Sequence, residues 1–305
     1  RMRLLEEATD EIDRIENVLL TDHSTRDDFS YLSSLVAEKR ALLAYFGNDP
    51  ERALDQYRRA NEGCDIENPE HAQRCARIAS SLGTVLVQRK QFGEGLKALR
   101  RARNARASLF GDDHLQVAVT NHNIGYAHFE AGEYDEAIEI TSNAIRVFER
   151  LLDENHPFIG DAELVLGRIY DDLKQPENAI PHLRKSQETY AAAFGAESRK
   201  AGYGLVFLAW SQARAGRAAA AKQTLNRAYS IYEKNFEPDS FDMIDIEIYG
   251  AWIASQAGEH AFAKASCDEG LNKMIELRSE NDPYVSFLQR ECDSVTDRYN
   301  RHVQP

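Results

Sequence analysis

A chain of 305 residues with 43% hydrophobic content can fold, and 29% charged residues with a mean hydropathy of −0.54 suit a surface in water. No run approaches the roughly 20 apolar residues of a spanning helix; the densest stretch, Gly204 to Ser211, is short and is followed by Arg214 and Arg217. A net charge of −13 disfavours nucleic acid as a partner, because phosphate would be repelled over most of the surface.

The chain opens Arg-Met-Arg and enters a helical pattern at once, as an excised fragment would. Glu6, Glu7, Asp10 and Glu11 are the wrong chemistry for a signal peptide. Leu4, Leu5, Ala8, Ile12, Ile15, Val18 and Leu19 predict an amphipathic helix over Met2 to Leu20. Residues 1–33 are therefore expected to form an N-terminal capping helix and its connection.

A repeat of 42 residues then runs six times without a gap, over residues 34–282. Ala41, Gly83, Gly125, Gly167, Ala209 and Ala251 form one column of small residues. Ala53, Gly95, Ala137, Ala179, Ala221 and Ala263 form a second, and Ala60, Ala102, Ala144, Ser186, Ala228 and Gly270 a third. Small side chains in fixed register predict two helices per unit meeting at close range. In the third unit the spacing predicts helices over Val117 to Glu130 and Tyr134 to Leu152.

The break within each unit recurs at Asn48-Asp49-Pro50, Lys90-Gln91, Gly132, Gln175-Pro176, Gly216 and Gly258. Glycine there fits a left-handed C-cap, and proline fits the first turn of the next helix. The loop between units holds His114, His156, Ser198, Ser240 and Asp282 in register, where Ser and Asp are natural N-caps. The two histidines are read as loop or capping residues. Residues 283–305 carry Tyr284, Val285, Leu288, Val295 and Tyr299 and are expected to cap the C-terminal end.

Cys64, Cys75, Cys267 and Cys292 form no CxxC pair, which argues against zinc. Cys64 with Cys75, and Cys267 with Cys292, could come close, but free thiols in a reducing compartment are the expectation. Seven basic residues against one acid lie between Arg89 and Arg106, and fourteen acids against five bases between Glu233 and Asp293. Both runs are read as solvated outer faces.

No phosphate-binding loop, Gly-x-Ser-x-Gly or His-Glu-x-x-His is present, and Gly93-Glu-Gly95 has no preceding strand. Adjacent carboxylates such as Asp171-Asp172 splay on a helix and are expected in solvent. No catalytic residue, cofactor or metal is expected, and the chain is read as no enzyme.

Leu82-Gly83, Phe92, Gly95 and Ala102, then Ile124-Gly125, Gly132, Tyr134, Ala137 and Ala144, resemble the tetratricopeptide repeat, as do Leu166-Gly167, Tyr170 and Ala179. The 42-residue length, the Gly-Asp-Asp-His and Asn-His-Pro loops and Asn121-His-Asn-Ile-Gly-Tyr look like the kinesin-light-chain variety. The early first-helix column lacks the tryptophan of the common repeat.

The resemblance implies an all-α, right-handed superhelical solenoid of six helix-turn-helix repeats with capping helices at both ends. It also implies a concave wall built from the first helices, where family members bind peptides or protein segments. Carried over residue by residue, the groove set is Ser80, Thr84, His122, Asn123, Tyr126, Arg168, Trp210, Arg214 and Trp252. A second surface is Arg100, Arg101, Arg103 and Arg106 on an outer helix.

The function expected is a protein- or peptide-binding module, the scaffold or sensor part of a signalling or regulatory protein. The alternative is a structural array that self-assembles through its opposed charges, giving a homo-oligomer. The expected location is the cytoplasm, with no membrane segment in this stretch.

Overall fold

The computed structural model of the chain describes residues 10–14, 18, 26–47, 49–279 and 282–303. Most of the helix expected over Met2 to Leu20, together with Asn48 and the loop residues Glu280 and Asn281, lies outside the described residues. Asp10 to Arg14 are helical. The chain divides into two compact units, Arg1–Leu151 and Leu152–Pro305.

In the first unit the helices are α1 (Arg26–Phe46), α2 (Pro50–Glu62), α3 (Ala72–Gln88), α4 (Phe92–Phe110), α5 (Leu115–Glu130) and α6 (Tyr134–Leu151). In the second they are α7 (Pro157–Asp172), α8 (Pro176–Phe194), α9 (Arg199–Arg214), α10 (Ala218–Asn235), α11 (Phe241–Gln256), α12 (His260–Arg278) and α13 (Pro283–Val303). No strand occurs among the described residues, and no described helix is long and apolar enough to cross a membrane. Each first helix packs against the second helix that follows it, and α13 packs on α12 and α11.

The small columns sit where paired helices touch. A Cβ built on Gly83 would lie 2.6 Å from Leu99 Cγ, and one on Gly167 2.5 Å from Leu183 Cγ. Ala53, Ala102, Ala137, Ala179, Ala221 and Ala263 are fully buried. Larger side chains would force the axes apart at these points.

The turn inside each of the last five pairs adopts a left-handed residue at the predicted phase: Lys90, Gly132, Lys174, Gly216 and Gly258 have φ of 59°, 79°, 61°, 75° and 87°. The loop between pairs supplies the N-caps. His114 Nδ1 accepts from Gln116 N and His156 Nδ1 from Phe158 N, both at 3.2 Å. Ser198 and Ser240 accept from Ala201 N and Met243 N in the same way. The ring nitrogen thus does for a histidine what the hydroxyl does for serine.

Neighbouring repeats are tied by side chains about one repeat apart. Arg77 pairs with the buried Glu38, and Lys200 with Asp161 at 2.9 Å. Ser211 Oγ donates to Asp171 at 3.0 Å, and the Tyr284 hydroxyl donates to Asp245.

The free-thiol expectation is corrected by the structure. Cys64 is bonded to Cys75 and Cys267 to Cys292, each with Cα atoms 5.5 Å apart, within the ordinary span of a disulfide. The first bond joins the second residue beyond α2 to the first turn of α3, across the loop between repeats. The second joins α12 to α13, whose Val285, Leu288, Cys292 and Val295 are buried. The sequence names both pairs as able to come close, but whether they bond depends on how the helices pack, which spacing does not show.

Candidate functional site

The residues that the family resemblance assigns to an inner wall lie on the first helices α3, α5, α7, α9 and α11. In the first unit α3 carries Ser80 and Thr84, and α5 carries His122, Asn123 and Tyr126. Ser80 is buried, and its carbonyl accepts from the Thr84 hydroxyl at 3.0 Å. His122 meets Phe148 edge-on at 6.5 Å, and Tyr126 lies 6.2 Å from Phe129. His122, Asn123, Tyr126 and Thr84 stay partly open to solvent.

In the second unit the corresponding residues are aromatic and cationic. The Arg168 guanidinium lies 5.5 Å from the Phe207 ring centroid, and Tyr203 meets Phe207 edge-on at 4.8 Å. Trp210 stacks on Trp252 with centroids 4.0 Å apart and meets Tyr249 edge-on at 5.1 Å. Arg214 approaches the Trp210 ring and Arg298 of α13 the Trp252 ring, both at 5.9 Å. Each guanidinium faces a ring quadrupole that attracts it. Both indoles are buried, at 8% and 7% exposure, whereas Tyr203 keeps 40%. What this face offers to solvent is therefore Tyr203, Arg168 and Arg214 over a tryptophan floor.

Two carboxylates lie beneath it. Asp171 is buried rather than solvated as the sequence reading had it. It sits one turn beyond Arg168, on the side of α7 that faces Ser211 of the next first helix. Burial raises its pKa to about 6, against the opposing pull of the Ser211 hydrogen bond and the nearby Arg214. Asp245 is likewise raised to about 7, chiefly by burial, with the Tyr284 hydrogen bond opposing.

Among the residues assigned to the outer surface, Arg100 and Arg101 are exposed and Arg103 pairs with Asp112 at 2.6 Å. Arg106 differs: it is 8% exposed and donates to Thr120 Oγ1 at 2.5 Å, so it faces α5 and not solvent. Its position three residues beyond Arg103 turns it to the inner side of α4.

Arg298 of α13, over the Trp252 ring, and Glu291 of the same helix, whose carboxyl pKa burial raises against the opposing charge of Arg214, were missed by sequence reasoning. The signal was available, because Arg298 lies 42 residues after Gln256 and Glu291 42 after Tyr249. The terminal helix continues the first-helix register. Among the described residues no group of three or more His, Cys, Asp or Glu is placed to hold a metal ion.

The family model for the tetratricopeptide repeat matches residues 74–140 and 116–192. The human clustered mitochondria protein homolog is 24% identical over 193 residues, 62% of this chain. The chain spans only 14% of the length of that relative. Among solved structures, the repeats of a kinesin light chain from Podospora anserina align with a TM-score of 0.58 at 18% identity, covering 68% of this chain and 99% of theirs. A Rap protein complexed with Competence and Sporulation Factor aligns with a TM-score of 0.63 at 12% identity, covering 96% of this chain and 80% of that one. Residues 74–192 of the chain are thus tetratricopeptide repeats, and the solved neighbours share the fold of paired helices.

Proposed function

We propose that the chain holds a peptide or an extended protein segment against its first helices, as the scaffold or sensor part of a signalling or regulatory protein. Proteins of this family generally mediate protein–protein interaction, and a Rap protein was solved complexed with Competence and Sporulation Factor. The observation that carries the reading is the face of α7 and α9, where Arg168, Tyr203 and Arg214 stand over buried aromatic rings. Guanidinium groups can bind a segment's carboxylates or carbonyls, while the exposed phenol offers a flat anchor. Ser80, Thr84, His122, Asn123 and Tyr126 would serve the same role in the first unit. We assign no catalytic role, since no acid, base and nucleophile converge among the described residues. The two disulfides favour an oxidising compartment over the cytoplasm.

Selection of a random twelve-residue peptide library on the immobilised protein tests this reading. Enriched peptides should lose at least tenfold in affinity on Arg168→Ala and on Arg214→Ala. Peptides indifferent to both, yet lost on Arg100→Glu with Arg101→Glu, would place the binding face on the outer helices and overturn it.

A further inference from the structure

A cleft of about 570 Å³ opens between α10, α11 and α12, on the side of α11 away from Trp252. The repeat register explains its origin. Leu82, Ile124, Leu166 and Leu208 occupy one column, and all are buried. Leu82 clusters with Tyr57, Ile124 with Leu99 and Leu208 with Leu183, each on the second helix of the preceding repeat. The next member of the column is Gly250, and Leu225 is the corresponding residue of the preceding second helix. A Cβ on Gly250 would lie 3.3 Å from Leu225 Cδ2 and 3.2 Å from the Tyr229 hydroxyl. The core side chain that fills this place in four earlier repeats is absent; Leu225 and Tyr229 close onto the glycine, and the cleft opens to solvent beside them.

The walls of the cleft are also exceptional within the repeat. Phe262, on its lip, is 63% exposed where the register elsewhere has Arg52, Glu94, Glu136, Asn178 and Ala220. The Tyr229 hydroxyl has no hydrogen-bond partner among the described residues. Of the rim charges, Glu259 is bridged to Lys222 at 2.6 Å and Glu269 to Lys273 at 2.9 Å. Glu247 has no ion pair or hydrogen bond among the described residues, and burial raises its pKa, with Glu269 and Asp239 adding to the rise against Lys273. The rim therefore carries net negative charge over an apolar floor.

We propose that this cleft binds a basic peptide segment, which seats one leucine-sized side chain on the apolar floor beside Gly250, between Leu225 and Phe262, and lays its cationic residues on Glu247 and the neighbouring rim carboxylates. Charge complementarity selects the flanks, and the missing Leu-column side chain selects the anchor. The site shares no residue with the first-helix wall, so it stands or falls apart from the function proposed above.

The probe is a fluorescein-labelled peptide, Gly-Lys-Arg-Leu-Lys-Arg-Gly, with a second peptide carrying Gly in place of Leu. The wild-type protein should bind the first at least tenfold more tightly than the second, read by fluorescence anisotropy at fixed salt. Gly250→Leu and Phe262→Ala should each remove that preference, while Arg168→Ala should leave it. Glu247→Gln should weaken both peptides several-fold and flatten the salt dependence. Circular dichroism and melting check that each variant is folded, and Phe262→Ala, on the exposed lip, keeps the test open if Gly250→Leu does not fold. Equal binding of the two peptides to wild type, or a preference that survives Phe262→Ala, overturns the proposal. A dimer dissolved by Gly250→Leu would assign the cleft to a second copy of the chain and overturn the basic-peptide occupant.

Discussion

Trp210 and Trp252, one repeat apart, stack with ring centroids 4.0 Å apart and planes inclined by 27°. The contact joins two successive first helices, α9 and α11, through their largest side chains. Tyr249 closes the edge of the stack, and Arg214 and Arg298 approach its two rings. The pair is thus a tie between repeats and, at the same time, the floor of the face proposed to bind a partner.

Because both indoles are buried, truncation should be felt in stability before it is felt in binding. Trp210→Ala is expected to cost about 3–5 kcal/mol, the range for large-to-small changes of buried aromatics. Urea unfolding of wild type and variant, with the slope compared, measures it. A loss under about 1 kcal/mol would mean that the stack does not support the repeat interface and that the indoles act only as anchors.

The cysteines give a second measurement. Thiol titration of unfolded, non-reduced protein should find no free thiol, and four after reduction. Cys292→Ser should destabilise the C-terminal unit by about 3 kcal/mol, as loss of a cross-link closing a loop of this size does. Hydrogen exchange should then show α13 losing protection first. Four thiols without reduction would remove the case for an oxidising compartment.

The helices, their turns and their caps were legible because each rests on local chemistry. His114 and Ser240 cap where the register puts them, and Gly132 and Gly258 adopt the left-handed turn that glycine permits. The small columns were legible because steric exclusion at a helix contact leaves few residue choices, as Gly83 against Leu99 illustrates. The functional faces were harder. Asp171 and Asp172 look alike in sequence, and only the packing of α9 buries the first. Arg103 and Arg106 differ by one helical turn, yet one pairs with Asp112 at the surface and the other is buried against Thr120. The cleft over Gly250 is written in the sequence as a gap in a leucine column. It needs the structure to show that Leu225 and Tyr229 close onto the glycine and leave a cleft beside them.

The raised carboxyls of Asp171, about 6, and Asp245, about 7, predict an unusual pH profile. In the folded state each holds its proton at pH values where the unfolded chain, near 3.8, has lost it. The folded state therefore binds more protons between about pH 4 and pH 7, and these two groups lower stability as pH rises through that window. For Asp171 the loss is on the order of 2–3 kcal/mol. Asp171→Asn, which keeps an oxygen to accept from Ser211, should be more stable than wild type at pH 8 and closer to it at pH 4. Thermal unfolding across pH 4–8 measures the difference; parallel profiles for the two proteins would show that Asp171 is ionised throughout.

Arg106 supports the last prediction. Its guanidinium is buried against Thr120 and the Gln116 carbonyl, its Nε has no hydrogen-bond partner, and no carboxylate pairs with it among the described residues. Burial lowers its pKa, and Arg77 adds to the fall. A buried cation held only by neutral acceptors recovers little of its desolvation cost. Arg106→Met, which keeps most of the volume and removes the charge, should therefore be neutral or stabilising, by about 1–4 kcal/mol. Thr120 loses no obligatory partner in that variant, because its hydroxyl also donates to the Gln116 carbonyl at 2.7 Å. Arg106→Ala should instead destabilise, since it leaves a cavity between α4 and α5. Chemical unfolding of the two variants separates charge from volume. A Met variant as unstable as the Ala variant would mean that the charge itself holds α4 to α5, through an anionic partner bound between them.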